Sequence, residues 1–152
     1  MGRLKRQPSP HVARKQEAKR QLIVMAAMEL VAEEGLGGLT IPKLSKRLDW
    51  TVGALYRYFE GKDAIITAMQ LKAVETYGVH MKAAWRDAAA FAGDAVGAPL
   101  VPIIALAKEY QRLVQVLPTE YHLINQVLAI PDTMLPEEDA NRVIVPMLGL
   151  IM

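Results

Sequence analysis

Apolar residues recur at helical spacing through most of the chain. Near the N-terminus, Ile23, Ala27, Leu30 and Val31 occupy positions i, i+4, i+7 and i+8, which places them on one face of a helix. Gly35 follows this stripe, and glycine commonly ends a helix because it adopts a positive φ at little cost. The pattern therefore predicts a first helix from about residue 12 to the residue before Gly35.

Two short helices are predicted next, each with a threonine at its start. Thr40 and Thr51 stand where a side-chain oxygen can cap the first free backbone N–H groups of a helix. Pro42 fits the first turn of the second helix, where its missing N–H is harmless. Asp49 is predicted to form a tight turn between the two helices, since Asp tolerates a positive φ better than most residues. The third helix is predicted over residues 52–59.

The remainder of the chain also has a helical pattern. A fourth helix is predicted from Lys62 to about Ala92, with a break at Gly93. Further helices are predicted over residues 101–117 and from residue 119 or 120 to residue 130, with a last apolar stretch over residues 140–152. No segment shows the polar–apolar alternation of a strand, so the predicted fold class is all-α.

Charge is unevenly distributed along the chain. Residues 1–62 hold twelve Lys and Arg against six Asp and Glu, whereas residues 63–152 hold six against ten, within an overall net charge of +2. This asymmetry indicates that the first part contacts a polyanion such as DNA, although a chance split would look the same. We divide the chain into a flexible basic arm (1–14), a DNA-binding domain (15–62) and a helical regulatory domain (63–152).

The composition narrows the class of protein. At 52% hydrophobic residues and without cysteine, the chain can bury a core but is neither a disulfide scaffold nor a thiolate zinc module. Its apolar runs are too short to cross a membrane, and its basic N-terminus runs into prolines rather than a signal-peptide core, so we expect a soluble cytoplasmic protein. The scattered histidines and the lack of nucleophile or phosphate-loop motifs predict no metal site, no cofactor and no enzymatic activity.

The three N-terminal helices predict a helix-turn-helix, whose third helix enters the major groove of DNA. That helix is slim at its leading end, which allows a close approach to bases. Its later part offers donors to phosphates, and Lys62 adds a cation at the start of the fourth helix. The small residues are Val52, Gly53 and Ala54, and the donor residues are Tyr56, Arg57 and Tyr58.

Residues 23–65 resemble the N-terminal DNA-binding domain of the tetracycline-repressor (TetR) family of bacterial regulators. The residues that match in register are Ala26-Ala27, Leu30-Val31, Gly35, Thr40-Ile41, Leu44-Ser45, Leu48, the run from Thr51 to Phe59, and Lys62. The most specific part is Leu55-Tyr56-x-Tyr58-Phe59-x-x-Lys62. Departures from the family pattern are Asp49 (usually Gly), Trp50 (usually aliphatic) and Gly61 (usually Ser or a similar residue).

The resemblance implies a transcription regulator, more often a repressor, that binds a palindromic DNA operator as a homodimer and is released by a small-molecule effector. It implies phosphate contacts for Thr40, Thr51, Tyr56, Tyr58 and Lys62, and proximity to bases for Lys43, Val52, Gly53 and Ala54. Small apolar side chains cannot bridge guanine. Lys43 or Arg57 is therefore expected to supply most of the hydrogen bonds to bases.

An effector site is expected in the second domain, for a molecule that is partly apolar. The candidate residues are Met81, Trp85, Tyr110 and Tyr121. Each of them is also explained as a core residue at helical spacing. Met81 and Trp85 are favoured because the fourth helix often walls the effector pocket in the TetR family.

The length of the chain raises an alternative function. TetR-family chains usually continue into two final helices that form the dimer, whereas this sequence ends on the apolar segment 145–152. We therefore expect a second domain that is short at its C-terminus, which puts dimerisation in doubt. The alternative is a helical interaction protein that has lost operator-specific binding together with its dimerisation region.

Overall fold

The computed structural model describes residues 10–93 and 97–129, and these residues form six α-helices and one 3₁₀ turn. The elements are α1 (Pro10–Glu34), the 3₁₀ turn (Leu36–Gly38), α2 (Ile41–Arg47), α3 (Val52–Tyr56), α4 (Lys62–Ala92), α5 (Leu100–Val116) and α6 (Pro118–Ala129). The all-α class is confirmed for this part of the chain. None of these helices combines the length and hydrophobicity needed to cross a membrane. The chain divides into two compact units, residues 1–66 and 67–152.

The core of the first unit joins the three N-terminal helices. α1 packs on α2, and α2 packs on α3. The predicted stripe of α1 is buried at Ile23, Ala27 and Leu30. Leu44 of α2 and Leu55 of α3 are each at most 1% exposed and pack in the same core as the α1 stripe. A fully buried leucine stabilises a fold by about 1.5–3 kcal/mol. These contacts therefore fix the orientation of α3.

Both predicted threonine caps are formed. The Oγ1 of Thr40 accepts a hydrogen bond from the backbone N–H of Lys43 at 3.3 Å, and the Oγ1 of Thr51 accepts one from Ala54 at 3.2 Å. Asp49 has a φ of 53°, which confirms the left-handed turn expected between α2 and α3. An N-terminal cap contributes roughly 1 kcal/mol, so local chemistry alone sets where both short helices begin.

Four helices have bounds that differ from those predicted, and one of them, α5, begins and ends one residue earlier than expected. α1 begins at Pro10, so residues 10–14, assigned to the arm, are helical in the structure. α6 begins at Pro118 rather than one or two residues later. In both places proline takes a first helical position, where no N–H is needed. α3 ends at Tyr56 rather than Phe59, because the N–H of Tyr58 donates to the Leu55 carbonyl only three residues back, at 2.9 Å.

The predictions for residues 1–9, for residue 130 and for the last apolar stretch lie outside the described residues. The described part of the second unit is built from α4, α5 and α6. α5 packs on α6, where Leu113 and Leu123 are almost completely buried. Buried residues of α4 in this unit include Ala73 and Tyr77, at 0% and 6% exposure.

Two glycines shape the link between α1 and α2. Gly35 has a φ of 73°, a conformation that favours glycine, and it confirms the predicted end of the first helix. At Gly38 the constraint is space. A Cβ added there would lie 2.5 Å from the Cβ of Glu34. Gly38 therefore allows the end of α1 to lie directly against the chain that leads into α2.

Candidate nucleic-acid interface

α3 is held through one face and exposed through the other. Leu55 and Phe59 are 1% and 4% exposed and turn toward the core. Val52 and Tyr56 are 39% and 52% exposed on the remaining surface. A Cβ added to Gly53 would meet no atom within 4 Å. The absence of a side chain at Gly53 is therefore not required by packing inside the chain.

Arg20 of α1 holds the end of α3 in two ways. Its Nη1 donates a hydrogen bond to the carbonyl oxygen of Tyr58. Its guanidinium carbon also lies 4.1 Å from the centroid of the Phe59 ring, within the range of a cation–π interaction. The sequence analysis assigned no role to Arg20. Its only local signal is its place three residues before Ile23, beside the apolar stripe of α1.

The turn before α3 is packed by an aromatic pair. The rings of Trp50 and Tyr58 have centroids 5.8 Å apart and are tilted by 39°. The Nζ of Lys19 lies 5.1 Å from the centroid of the Trp50 ring. Tyr58 is half-buried as a result, unlike the more exposed Tyr56. The tryptophan that departs from the family pattern therefore packs the turn against the end of α3.

Acidic residues at the end of α1 pair with basic residues of α2. Arg47 donates to both carboxylate oxygens of Glu33, one of them at 2.9 Å, and its Nε lies 3.6 Å from the Oε2 of Glu29. The hydrogen bond from Arg47 holds the pKa of Glu33 below its ordinary value. A negative charge at a helix C-terminus is unfavourable by itself. The basic side chains of α2 offset this unfavourable charge, and these ion pairs were not predicted from the sequence.

The second of these pairs involves Lys43, which was expected to lie near bases. The Nζ of Lys43 forms an ion pair with the Oε2 of Glu34, and the two side chains are 51% and 40% exposed. A contact from Lys43 to DNA would therefore replace an existing partner. Arg57, the other residue expected to hydrogen-bond with bases, is exposed, and within residues 10–93 and 97–129 it takes part in no ion pair.

The ten predicted DNA contacts all fall within the first unit. They lie in α2, in α3, in the residues that cap or follow these helices, and at the start of α4. The set is Thr40, Lys43, Thr51, Val52, Gly53, Ala54, Tyr56, Arg57, Tyr58 and Lys62. Most are exposed, whereas Ala54, Tyr58 and Lys62 are half-buried. Lys19, Arg20 and the acidic residues that pair with α2 were not predicted from the sequence.

The predicted effector residues are only partly brought together. The rings of Tyr110 and Tyr121 meet edge to face with centroids 6.2 Å apart. Tyr77, which the sequence analysis did not single out, adds a third ring at 6.4 Å from Tyr110. Met81 and Trp85 are half-buried, one turn apart on α4. No aromatic pair among the described residues includes Trp85.

Burial raises the pKa of the Tyr77 phenol to about 12, with smaller contributions from Tyr110, Glu120 and Tyr121. This tyrosine therefore stays neutral over the whole physiological range. In the part of the chain that the structure describes, no group of three or more His, Cys, Asp or Glu side chains is arranged to hold a metal ion.

Comparison with known proteins agrees with the geometry of the first unit. The family model for bacterial regulatory proteins of the tetR family matches residues 23–69, a span that contains the end of α1, all of α2 and α3, and the first turns of α4. No curated protein matches the chain. Residues 23–69 thus match the N-terminal helix-turn-helix domain of the tetR family, and this match supports a DNA-binding regulator of the TetR type.

Proposed function

We propose that this protein is a transcriptional repressor that binds a palindromic operator as a homodimer and leaves it when a small molecule binds the second unit. The observation that carries the proposal is the division of α3 into two faces. Its buried face fixes the helix through Leu55, while the exposed face begins with Val52 and Gly53. A helix with small residues at its exposed leading end can approach base edges in the major groove closely.

The two capping threonines support phosphate contacts beside that helix. In Thr40 and Thr51 the hydroxyl oxygen accepts a backbone hydrogen bond, which leaves the hydroxyl hydrogen available as a donor. Both residues are exposed. Each threonine can therefore start its helix and donate to a phosphate at the same time. The phenol of Tyr56 and the ammonium of Lys62 would add donors farther along the DNA backbone.

Base reading is assigned to Lys43 and Arg57. Arg57 is exposed at the end of α3, and its guanidinium can bridge two acceptors of guanine. Lys43 reaches a base or phosphate by exchanging its partner Glu34 for DNA. The exposed apolar surface of Val52 is suited to a thymine methyl group.

The second unit is proposed to hold the effector. The paired rings of Tyr110 and Tyr121, with Met81 and Trp85 on α4, offer apolar and aromatic surface to a small molecule. Release from DNA requires that the effector bind the DNA-free state more tightly, because a ligand shifts an equilibrium only by its differential affinity. The unit 67–152 is the proposed regulatory part, and the unit 1–66 the DNA-binding part.

The proposal is tested by selecting DNA from a pool of random duplexes with the full chain. We expect enrichment of a palindrome whose half-sites lie about one helical turn, or a multiple of it, apart. Tyr56→Phe and Lys62→Ala should then weaken binding to the selected duplex and to random DNA by similar factors, because phosphate contacts carry no base information.

Two results would contradict the proposal. A pool without sequence enrichment would favour the alternative, a helical interaction protein without an operator. Equal affinity for a half-site and for the full palindrome would contradict the homodimer, since a dimer gains from both half-sites.

A further inference from the structure

Two polar side chains of the second unit are buried without a hydrogen-bond partner among the described residues. Gln70 is 1% exposed, and neither its Nε2 nor its Oε1 is bonded. Tyr77 is 6% exposed, and its hydroxyl is also unbonded. Leaving a buried donor or acceptor unpaired destabilises the folded state. Such groups therefore indicate a partner that is not part of the described chain.

The two side chains share one face of α4. They are seven residues apart, which is close to two full helical turns, so Tyr77 lies almost directly in line with Gln70, with a rise of roughly 10 Å between them. Met81, one turn farther on, continues the same face. The unbonded carboxamide and phenol thus lie in line with a residue already assigned to the effector.

Aromatic rings adjoin the Tyr77 end of this face. The Tyr77 ring meets Tyr110 edge to face, with an interplanar angle of 73°, and Tyr110 meets Tyr121 in the same way at 71°. Aromatic edges and faces favour a flat ring as a neighbour. Tyr77 therefore lies beside aromatic surface suited to a planar molecule.

The charge of the surroundings restricts the ligand further. Besides Tyr77, the buried polar side chains among the described residues are Ser45 and Gln70, and neither carries a charge. The charged group that acts on Tyr77 is Glu120, which is half-buried and negative. An ion bound at this face would lose its hydration without gaining a buried counter-charge, which disfavours its binding. A neutral molecule avoids this cost.

We propose that Gln70 and Tyr77 bind the effector through hydrogen bonds, and that the effector is a neutral, planar molecule carrying an amide-like pair of one carbonyl acceptor and one N–H donor. The inference rests on the proposed function in so far as it assigns the effector to the second unit. A buried carboxamide offers one acceptor and two donors, so it forms two hydrogen bonds with another amide. The phenol of Tyr77 supplies a further donor to the same molecule.

The test uses calorimetric titration of the full chain with 2-naphthamide, and with 2-naphthoate as a charged molecule of the same shape. We expect 2-naphthamide to bind at least about tenfold more tightly than 2-naphthoate. Gln70→Leu should weaken the binding of 2-naphthamide by about tenfold, because the amide of the probe then loses its partner. Tyr77→Phe should weaken it by a smaller factor.

Gln70→Leu is suited to this test because it keeps the volume of the side chain and removes an unpaired buried group. Its melting temperature is expected to equal or exceed that of the wild type, so a loss of binding is not a loss of folding. Gln111→Leu, at an exposed position of α5, is the matched control and should leave binding unchanged. Failure of 2-naphthamide to bind the wild type, equal binding of the carboxylate, or equal binding by Gln70→Leu would each overturn the inference.

Two assays separate this inference from the proposed function. Binding of 2-naphthamide through Gln70, in a chain that selects no operator, would uphold the site and contradict the repressor. An operator bound and released by some other molecule, with 2-naphthamide binding unaffected by Gln70→Leu, would contradict only the site. Bound water alone would leave both probes without measurable affinity, and this outcome also overturns the inference.

Discussion

The guanidinium of Arg20 lies 4.1 Å from the centroid of the Phe59 ring, across 39 residues of sequence. The same side chain donates a hydrogen bond to the carbonyl oxygen of Tyr58. Two interactions from one residue therefore tie the start of the domain to the segment that directly follows α3. Arg20 is a positioning residue for α3, since it acts on the helix through its C-terminal end.

Arg20→Met should destabilise the first unit and weaken operator binding more than random-DNA binding. Loss of the cation–π contact and of a charged hydrogen bond is expected to cost about 1–3 kcal/mol, since Arg20 is partly exposed. Thermal denaturation and gel shifts measure the two effects. Arg20→Lys keeps a cation near the ring but loses the planar fork, so it should recover part of the stability.

Arg14→Met is the matched control for Arg20, because it removes the same charge from an exposed position of α1. It should leave the melting temperature unchanged and affect both kinds of DNA equally. The contrary result is that Arg20→Met weakens binding to operator and random DNA by the same factor without changing the melting temperature. That result would show that Arg20 contacts phosphate rather than positions α3.

Glu34→Gln should strengthen binding to DNA by about two- to fivefold, since exposed ion pairs contribute about 0.2–1 kcal/mol and Lys43 would no longer exchange one partner for another. Glu33→Gln changes the net charge by the same amount but removes one of the two acidic partners of Arg47, which is not among the expected DNA contacts. Gel shifts over a range of salt concentrations compare the two variants. The gain from Glu34→Gln should be the larger of the two at each salt concentration.

Comparison of Glu33→Gln with Glu34→Gln also tests whether Lys43 contacts DNA. Equal gains in affinity from Glu33→Gln and Glu34→Gln would mean that only net charge matters, and that Lys43 does not contact DNA.

Gly53→Ala should keep or raise the stability of the fold and yet weaken operator binding at least about tenfold. A Cβ at Gly53 meets no atom of the chain, and alanine favours helix over glycine by about 0.5–1 kcal/mol. The expected loss therefore arises from contact with DNA alone. Gly78→Ala on α4 is the control, because a Cβ there is equally unobstructed. If Gly53→Ala bound the operator as tightly as the wild type, the start of α3 would not lie close to the bases.

Tyr77 should make the stability of the second unit sensitive to alkaline pH. Burial raises its pKa from 10.0 to about 12, so the unfolded chain releases this proton more readily than the folded one. Its contribution is fully present below pH 10 and is lost as the pH rises through about 12. Urea denaturation across this range should show a steeper fall in the free energy of unfolding for the wild type than for Tyr77→Phe. Parallel curves for the two proteins would contradict the buried phenol.

Local chemistry made much of the fold predictable. Gly35 ends α1, Thr40 and Thr51 cap α2 and α3, and the fourth helix was predicted with the bounds that it has in the structure. Each of these features depends on residues within one helical turn of each other. For the same reason the tight turn at Asp49 could be predicted from the residue type alone.

Contacts between distant residues were not predictable in this way. In the sequence, Glu33 and Glu34 are only unfavourable charges at the end of a helix, because their partners in α2 become neighbours only after folding. Arg20 and Tyr77 were missed for related reasons. A basic residue beside an apolar stripe, or a tyrosine within one, shows its role only when the opposite side chain is known.

Gly38 also affects how mutations in this protein would behave in a genetic screen. Any larger residue there pushes Glu34 aside, although Gly38 itself is not an expected DNA contact. Displacing Glu34 frees Lys43, so alleles at a loop glycine would reproduce the phenotype of alleles at Glu34. Such alleles would arise as suppressors of mutations that weaken operator contacts elsewhere in the domain. They would raise the affinity for DNA through the charge of Lys43, without restoring the lost contact.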